Sequence, residues 1–536
     1  MARAGPPPTA HQPAARQKYD RQLRIWGEHG QEALKNGHVC LLNCGPTGSE
    51  ALKNLVLGGI GSFTIVDEAR VKPADLGNNF LVDCESLGQS RAKCVSGLLQ
   101  ELNEGVAARF VEESPQTLIE HDANFFSVFT LIIATQMTES SLEKLDSLCR
   151  QRGIMLITAR TFGLVGSVRI SLQEHRVIES KPDNLLDDLR IHQPWEELRE
   201  FVNSCDIDTE DLLVHQHIPF AVLLVRIADE WRAAHGGRAP KTAAEKAELK
   251  SWITARKREQ DEENYKEALA SVFKAWSPPA ISHNLRAILD DHASHVNSAS
   301  PDFWVMVAAL KEFMRNEGDG ELPLDGAIPD MHSFTDFYIA LQQVYQKKAA
   351  ADVAAVAAHA QRILKEAGKV PDSIPYSTIK LFCKNARNLQ VIRYRPLAEE
   401  QSAALAQGSE LLRMLASEES SNAVIYVLLR AVDLFAATFN RYPGVYDSDV
   451  EEDIARLKAV AVALVSECGL TGAAIPDDFI SEICRFGASE LHATAAVIGG
   501  IVAQEAIKLL TKQFVPLAGT LIYNGISSTT STLPFS

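Results

Sequence analysis

The sequence is short of the features that mark nucleic-acid, metal and membrane proteins. Of its 536 residues, 53 are basic and 69 acidic, for a formal net charge of −16. No dense Lys/Arg run occurs, and a nucleic-acid binder needs a basic stripe. Nucleic acid is therefore excluded as a primary ligand. The nine cysteines (Cys40, Cys44, Cys84, Cys94, Cys149, Cys205, Cys383, Cys468 and Cys484) are odd in number, scattered, and contain no C-x-x-C pair. That excludes an obvious zinc ribbon and does not resemble a disulfide framework, so a reducing compartment is expected, the cytoplasm and with it the nucleus. His215, His217, His292 and His295 come in pairs, but no third or fourth ligand clusters with them. They read as surface or core histidines, and no metal site is expected.

Long apolar runs free of charge are missing too. The opening stretch "MARAGPPPTAHQPAARQ" has no apolar core and is not a secretory signal. Its Pro/Ala-rich make-up predicts a disordered leader over residues 1–17. The most apolar late segment, "TAAVIGGIVAQEAIKLL", contains Gln504, Glu505 and Lys508. It reads as a buried helix rather than a span, and no membrane partner is expected.

What is present is an ordinary globular composition, 46% hydrophobic and 23% charged, in a chain too long for one core. Residues 18–175 alternate β-rich runs ("HVCLLNC", "SFTIVD", "ARFVEE", "FTLIIAT", "IMLITAR") with helical patterns. That alternation predicts a Rossmann-like α/β unit with a parallel sheet. Residues 176–480 carry helical patterns almost throughout and predict a large, mostly helical insertion. Residues 481–536, with a helix followed by "FVPLAG" and "TLIYNG", look like α/β structure returning to complete the first domain.

The chemistry-bearing stretch is Val39–Glu68, "VCLLNCGPTGSEALKNLVLGGIGSFTIVDE". A hydrophobic run, a small-residue turn, a helical segment and a second run ending on a carboxylate are the layout of a nucleotide-binding βαβ unit. The turn departs from G-x-G-x-x-G, reading Asn43-Cys44-Gly45-Pro46-Thr47-Gly48. Asn43 can adopt a left-handed conformation, and Gly45 and Gly48 keep the second and third glycine roles. Pro46 has no N–H where donors should face phosphate, a loss of about 1.5–3 kcal/mol. Asp67 stands where a ribose-binding carboxylate would sit. On these local grounds two readings stand: a weakened phosphate cradle, or a packing turn that binds nothing.

The surroundings are more specific. "KYDRQLRIWGEHGQEALKNGHVCLL", "GSEALKNLVLGGIGSFTIVDE" and "DLGNNFLVDCESLGQSRAKC" resemble the ubiquitin-like-protein-activating enzymes, which use ATP to adenylate a modifier and then capture it on a cysteine. Active members read G-x-G-G-x-G, D-x-D, N-L-N-R-Q-F, G-x-x-K-A, then an aspartate after the fourth strand. Here those positions hold Asn43 and Pro46, Ala69 for the second carboxylate, Asp75 and Asn78 for the Asn and Arg, Arg91 for the Lys, and Gln136 for the metal-linked aspartate. Adenylyl chemistry depends on placed cations and metal-holding carboxylates, so the resemblance implies a retired adenylation-type site with no ATP or Mg²⁺ of its own. The thiol is missing as well: Cys205 has acidic neighbours that disfavour a thiolate, and Cys383 reads as a buried structural thiol.

Such a profile is similar to the non-catalytic half of a heterodimeric member. The SUMO-type half, the alternative, lacks a large helical insertion. The neddylation-type half has one, and "RTFGLVGSVRI", "RYPGV", "FCKNA" and "DDFISEICRFGASELHATAAVIGG" resemble it. The resemblance implies a catalytic-subunit partner holding ATP and Mg²⁺, and a Nedd-type modifier as substrate. It implies that Arg21 in "YDRQ" reaches the partner's ATP, the local alternative being a salt bridge within its own helix. It also places partner contacts in Gly59–Leu76, at Gly59, Ile60, Phe63, Val66, Asp67 and Leu76, and in Ile328–Ala349, at Met331, Phe334 and Tyr338. A self-sufficient adenylating enzyme is the other alternative.

Overall fold

A computed structural model describes residues 17–183, 187–401, 414–415, 421–467 and 475–534. The expected leader and Cys468 fall outside them, save Gln17, which is helical. The described residues form two compact units, residues 1–175 with 391–536 and residues 176–390.

The first unit opens with helix α1 (Asp20–Lys35), broken at Gly27, which takes φ +71. Gln513 Nε2 donates to the Trp26 carbonyl beside the break at 2.9 Å. Then follow β1 (His38–Leu42), α2 (Pro46–Gly58), β2 (Ser62–Val66), α3 (Arg91–Leu102), β3 (Ala107–Val111), β4 (Leu131–Thr135), α4 (Glu139–Arg152), β5 (Met155–Phe162) and β6 (Val165–Ser171). β1 and β4 are buried along nearly their whole length, as parallel strands covered on both faces must be, and this is why their apolar runs do not alternate. β1 pairs in parallel with both β2 and β4, β2 with β3, and β4 with β5. The order β3-β2-β1-β4-β5 reverses direction between β1 and β4, the point where such sheets leave a crevice at their carboxyl ends.

A separate two-stranded sheet pairs β7 (Glu174–Val177) with β8 (Gln390–Arg393). The second unit is helical, with α5 (Phe220–Ala234), α6 (Asp302–Arg315) and the long α7 (Thr335–Glu366) as its main elements. The buried positions of α7, from Leu341 and Tyr345 through Ala349, Val353, Val356 and Ala360 to Leu364, recur at three- and four-residue spacing and form one stripe. Its core joins Trp231, Tyr265 and Leu249 to Leu341 and Tyr345.

Back in the first unit come α8 (Ser421–Phe439), α9 (Val450–Glu467), α10 (Asp477–Phe486), α11 (His492–Thr511), β9 (Thr520–Asn524) and β10 (Thr529–Leu533). β6, β9 and β10 extend the sheet in antiparallel fashion. The helical stretch expected to run to 480 as insertion thus divides at 391. α8 buries Val424, Leu428, Val432 and Phe435 with Phe162, Ile522 and Leu533 of the first unit. Helical periodicity shows that a stripe will be buried but not against which core. "FVPLAG" is not a strand: Phe514 takes φ +58, and the Leu517 N–H donates to Glu505 Oε2 at 2.8 Å, outside any ladder. α8 and α11 are long and apolar enough to cross a membrane by length and composition, yet more than half of each apolar window is buried inside the unit.

Candidate functional site

The crevice at the ends of β1 and β4 is closed by side chains of the chain itself. Asn43 takes φ +65 and turns the chain after β1 without a glycine. Its Nδ2 donates to the Thr135 carbonyl at 2.9 Å, and Thr135 Oγ1 donates to the Asn43 carbonyl at 2.6 Å. Gly48 keeps its packing role, because a Cβ there would lie 2.4 Å from the Asn43 carbonyl oxygen. Pro46 is the first residue of α2, where a missing N–H breaks no helical bond. The proline fits the helix and removes only the donor a phosphate would have used.

Thr47, the next residue of the loop, has a partner that sequence reasoning missed. Glu490, between α10 and α11, reaches α2: the Thr47 N–H donates to its Oε2 at 3.1 Å and Thr47 Oγ1 at 2.7 Å. Thr47 Oγ1 also lies 2.7 Å from Thr161 Oγ1. A carboxylate at a helix N-terminus meets exposed N–H groups and the positive end of the dipole. Removal of the carboxyl from water pushes Glu490 above its ordinary pKa, and the Thr47 bonds pull the other way. Nothing in the local sequence around "ASELHATA" signals this, since the contact spans more than four hundred residues.

Asp67 is likewise committed. It is 1% exposed, and its Oδ2 accepts from the Cys44 N–H at 2.8 Å, the Cys44 thiol at 3.2 Å and Arg91 Nε at 2.8 Å. Its Oδ1 accepts from the Ala69 N–H at 2.8 Å. Arg91 spans to Asp75 at 3.5 Å. Burial works against the Arg91 charge, but Asp67 and its neighbours outweigh it and hold the guanidinium firmly protonated. Burial and the Asp67 charge push the Cys44 thiol well up.

On the β4 side, Gln136 Nε2 donates to the Thr161 carbonyl at 2.8 Å and the Thr161 N–H donates back to Oε1 at 3.0 Å. Ala69 offers no carboxylate, and the amide of the half-buried Asn78 makes only a 3.5 Å contact with the Ala74 carbonyl. A carboxylate in the cradle, a proline at its mouth and a neutral amide where the resemblance implies a metal-linked aspartate do not fit ATP and Mg²⁺.

The ThiF family model matches residues 19–536. The chain belongs to the ThiF family. Within it the chain is 54% identical over 517 residues to the NEDD8-activating enzyme E1 regulatory subunit AXL of Arabidopsis thaliana, covering 96% of this chain and 98% of that protein. It is 53% identical over 511 residues to the AXR1 subunit of the same plant, covering 95% and 94%. The NEDD8-activating enzyme E1 regulatory subunit of Danio rerio is 44% identical over 523 residues, covering 96% and 98%.

This ThiF-family chain places the other expected site residues as follows. Arg21 is exposed near the start of α1 and makes no ion pair with a described residue, whereas its neighbour Arg24 pairs with Asp20 at 3.1 Å. The expected partner contacts in Gly59–Leu76 need correction. Ile60, Phe63, Val66 and Asp67 are at most 1% exposed, and Gly59 is buried under Tyr19. They build the α2–β2 core of this unit and offer no surface to a partner; a strand buried on both faces cannot also be an interface. Leu76 is half-buried against the same core. In the second unit Met331 is buried, while Phe334 and Tyr338 are half-buried. Phe334 stacks on His217 with ring centroids 4.4 Å apart.

No described residues form a metal-holding cluster. His215 is instead a buried core histidine, with Nδ1 3.0 Å from Glu262 and Nε2 3.0 Å from the Tyr265 hydroxyl. His292 and His295 are exposed. Burial raises the Cys205 thiol and pushes Cys383 up to about 12, with Asp352 adding to the second. For Cys205 burial, rather than the acidic neighbours, is the main cause. Neither thiol is primed as a nucleophile.

Proposed function

We propose that this chain is the non-catalytic, regulatory half of a heterodimer that activates a Nedd-type ubiquitin-like modifier for transfer to cullins. Adenylation and thioester formation take place on a catalytic subunit, which carries the ATP, the Mg²⁺ and the reactive thiol. This chain binds no nucleotide or metal cofactor itself, and works in the cytoplasm and nucleus. The observation that carries the reading is the closure of its own nucleotide crevice by Glu490, the Asp67–Arg91 pair and Gln136. The high identity to proteins named as regulatory subunits over nearly the full length supports it. A retained βαβ frame without retained chemistry is what a dimerisation scaffold requires. Arg21, exposed and without an ion-pair partner among the described residues, is the group proposed to act on the partner's nucleotide, since guanidinium is permanently charged and matches phosphate geometry.

The deciding experiment is reconstitution with a Nedd-type catalytic subunit. ATP-dependent thioester formation should need both chains, and this chain alone should neither bind ATP nor exchange pyrophosphate. Pyrophosphate exchange by the isolated chain would establish a self-sufficient adenylating enzyme instead. Productive pairing with a SUMO-type catalytic subunit alone would replace the modifier assignment.

A further inference from the structure

We propose that Glu490 is an intrinsic anion, lodged in a phosphate-class anion site at the start of α2, that keeps this loop shut against nucleotides. Gly45 gives the geometric reason. It sits at φ −62, ψ −177, extended backbone open to any residue, so conformation does not demand glycine there. What excludes a side chain is the Glu490 carboxylate, because a Cβ on Gly45 would lie 2.4 Å from Oε1. The glycine that in an open cradle lets phosphate approach the backbone here admits a carboxylate of the same chain. Thr47 supplies the matching donors, its N–H at 3.1 Å and its hydroxyl at 2.7 Å. The positive charge of Arg91 acts on the same carboxylate, opposed by Asp75. Glu490 is held in place from behind: the Gly163 N–H, in the β5–β6 turn, donates to the Ser489 carbonyl at 2.7 Å, and Gly163 and Glu490 form a parallel bridge.

The inference deepens the crevice closure on which the proposed function rests, but its test reads this chain alone, without the partner subunit. A loop emptied of its internal anion leaves the Thr47 donors, at the positive end of α2, unanswered, which is an anion site. The test uses the full chain and inorganic phosphate, with chloride at matched ionic strength as control. Wild type should show no phosphate-dependent change in melting midpoint. E490A should gain a phosphate-dependent rise of about 2 °C or more, as a ligand bound only by the folded state produces. E490Q keeps the side-chain shape without the charge and should gain a smaller rise, so it decides the matter if E490A does not fold. An equal response in wild type would overturn the proposal, as would the absence of a gain in both variants. Pyrophosphate exchange by E490A is not expected, because Gln136 and Ala69 still hold no metal.

Discussion

Gln136 and Thr161 exchange two hydrogen bonds across the ends of β4 and β5, at 3.0 Å and 2.8 Å. A carboxamide offers a donor and an acceptor, and the backbone of Thr161 offers the complement. The position for which the resemblance implies a metal-linked aspartate therefore stitches two strands together. A single substitution back to aspartate would not undo that exchange of roles.

Q136D removes the donor to the Thr161 carbonyl and points a carboxylate at it. The expected cost is about 1–3 kcal/mol, the penalty for an unmatched buried acceptor. Urea denaturation of wild type and Q136D measures it. The variant should gain no Mg²⁺-dependent nucleotide binding, because Glu490 still fills the cradle.

The Asp67–Arg91 pair makes a sharper prediction. Asp67 is fully buried and holds three partners besides Arg91. D67A strands a guanidinium that is itself mostly buried, and breaking such a pair from one side costs about 3–5 kcal/mol. R91M should cost less, since Asp67 keeps its two backbone donors. A double-mutant cycle by chemical denaturation should give the D67A/R91M chain a smaller loss than the two single losses added.

Much of this arrangement was legible in the sequence. The five parallel strands and the left-handed turn at Asn43 follow from residue type and spacing, while the missing charges at Ala69, Asn78 and Gln136 are what the resemblance implies. What local reading could not supply was the identity of the replacements. Glu490 reaches Thr47 only through the fold, and Thr161 pairs with Gln136 only because β4 and β5 are neighbours. The same limit explains why Ile60, Phe63 and Val66, expected at a partner contact, lie in the core: strand pairing and helix cover decide which side chains reach the surface. The end of the insertion was misjudged for a related reason, since α8 reads as a helix wherever it packs.

Arg21 separates a catalytic contribution from pure scaffolding. It is exposed and makes no ion pair with a described residue, so R21A should change the stability of this chain by less than about 0.5 kcal/mol. In the reconstituted heterodimer, thioester formation should fall on the order of 10³-fold if the guanidinium serves the partner's phosphates. R24A, which removes only the exposed pair with Asp20, is the control and should leave the rate unchanged. An unchanged rate in R21A would leave this chain an adaptor.

Cys205 and Cys383 are the described thiols of the second unit, and burial raises both. C205A and C383A should each leave thioester formation on the partner intact, read as modifier–subunit adduct on a non-reducing gel. C383A should cost some stability, because Cys383 is 1% exposed in a packed core. Loss of the adduct with stability retained would mean that this chain carries a working thiol after all.

Glu490 should also leave a signature in the pH dependence of stability. Its carboxyl is pushed above the ordinary value, so the folded chain holds this proton more tightly than the unfolded chain does. The resulting stabilisation is complete below the unfolded pKa and is lost as pH rises through the folded one. Ionisation of the latch therefore works against folding, a cost tolerated for keeping the loop shut. E490Q cannot ionise, so it should be at least as stable as wild type at neutral pH. The difference between them should shrink as pH falls toward the ordinary carboxyl range. Melting midpoints of the two chains across that range decide the sign. A gap that widens on acidification would mean that the Thr47 hydrogen bonds, rather than removal from water, dominate at Glu490.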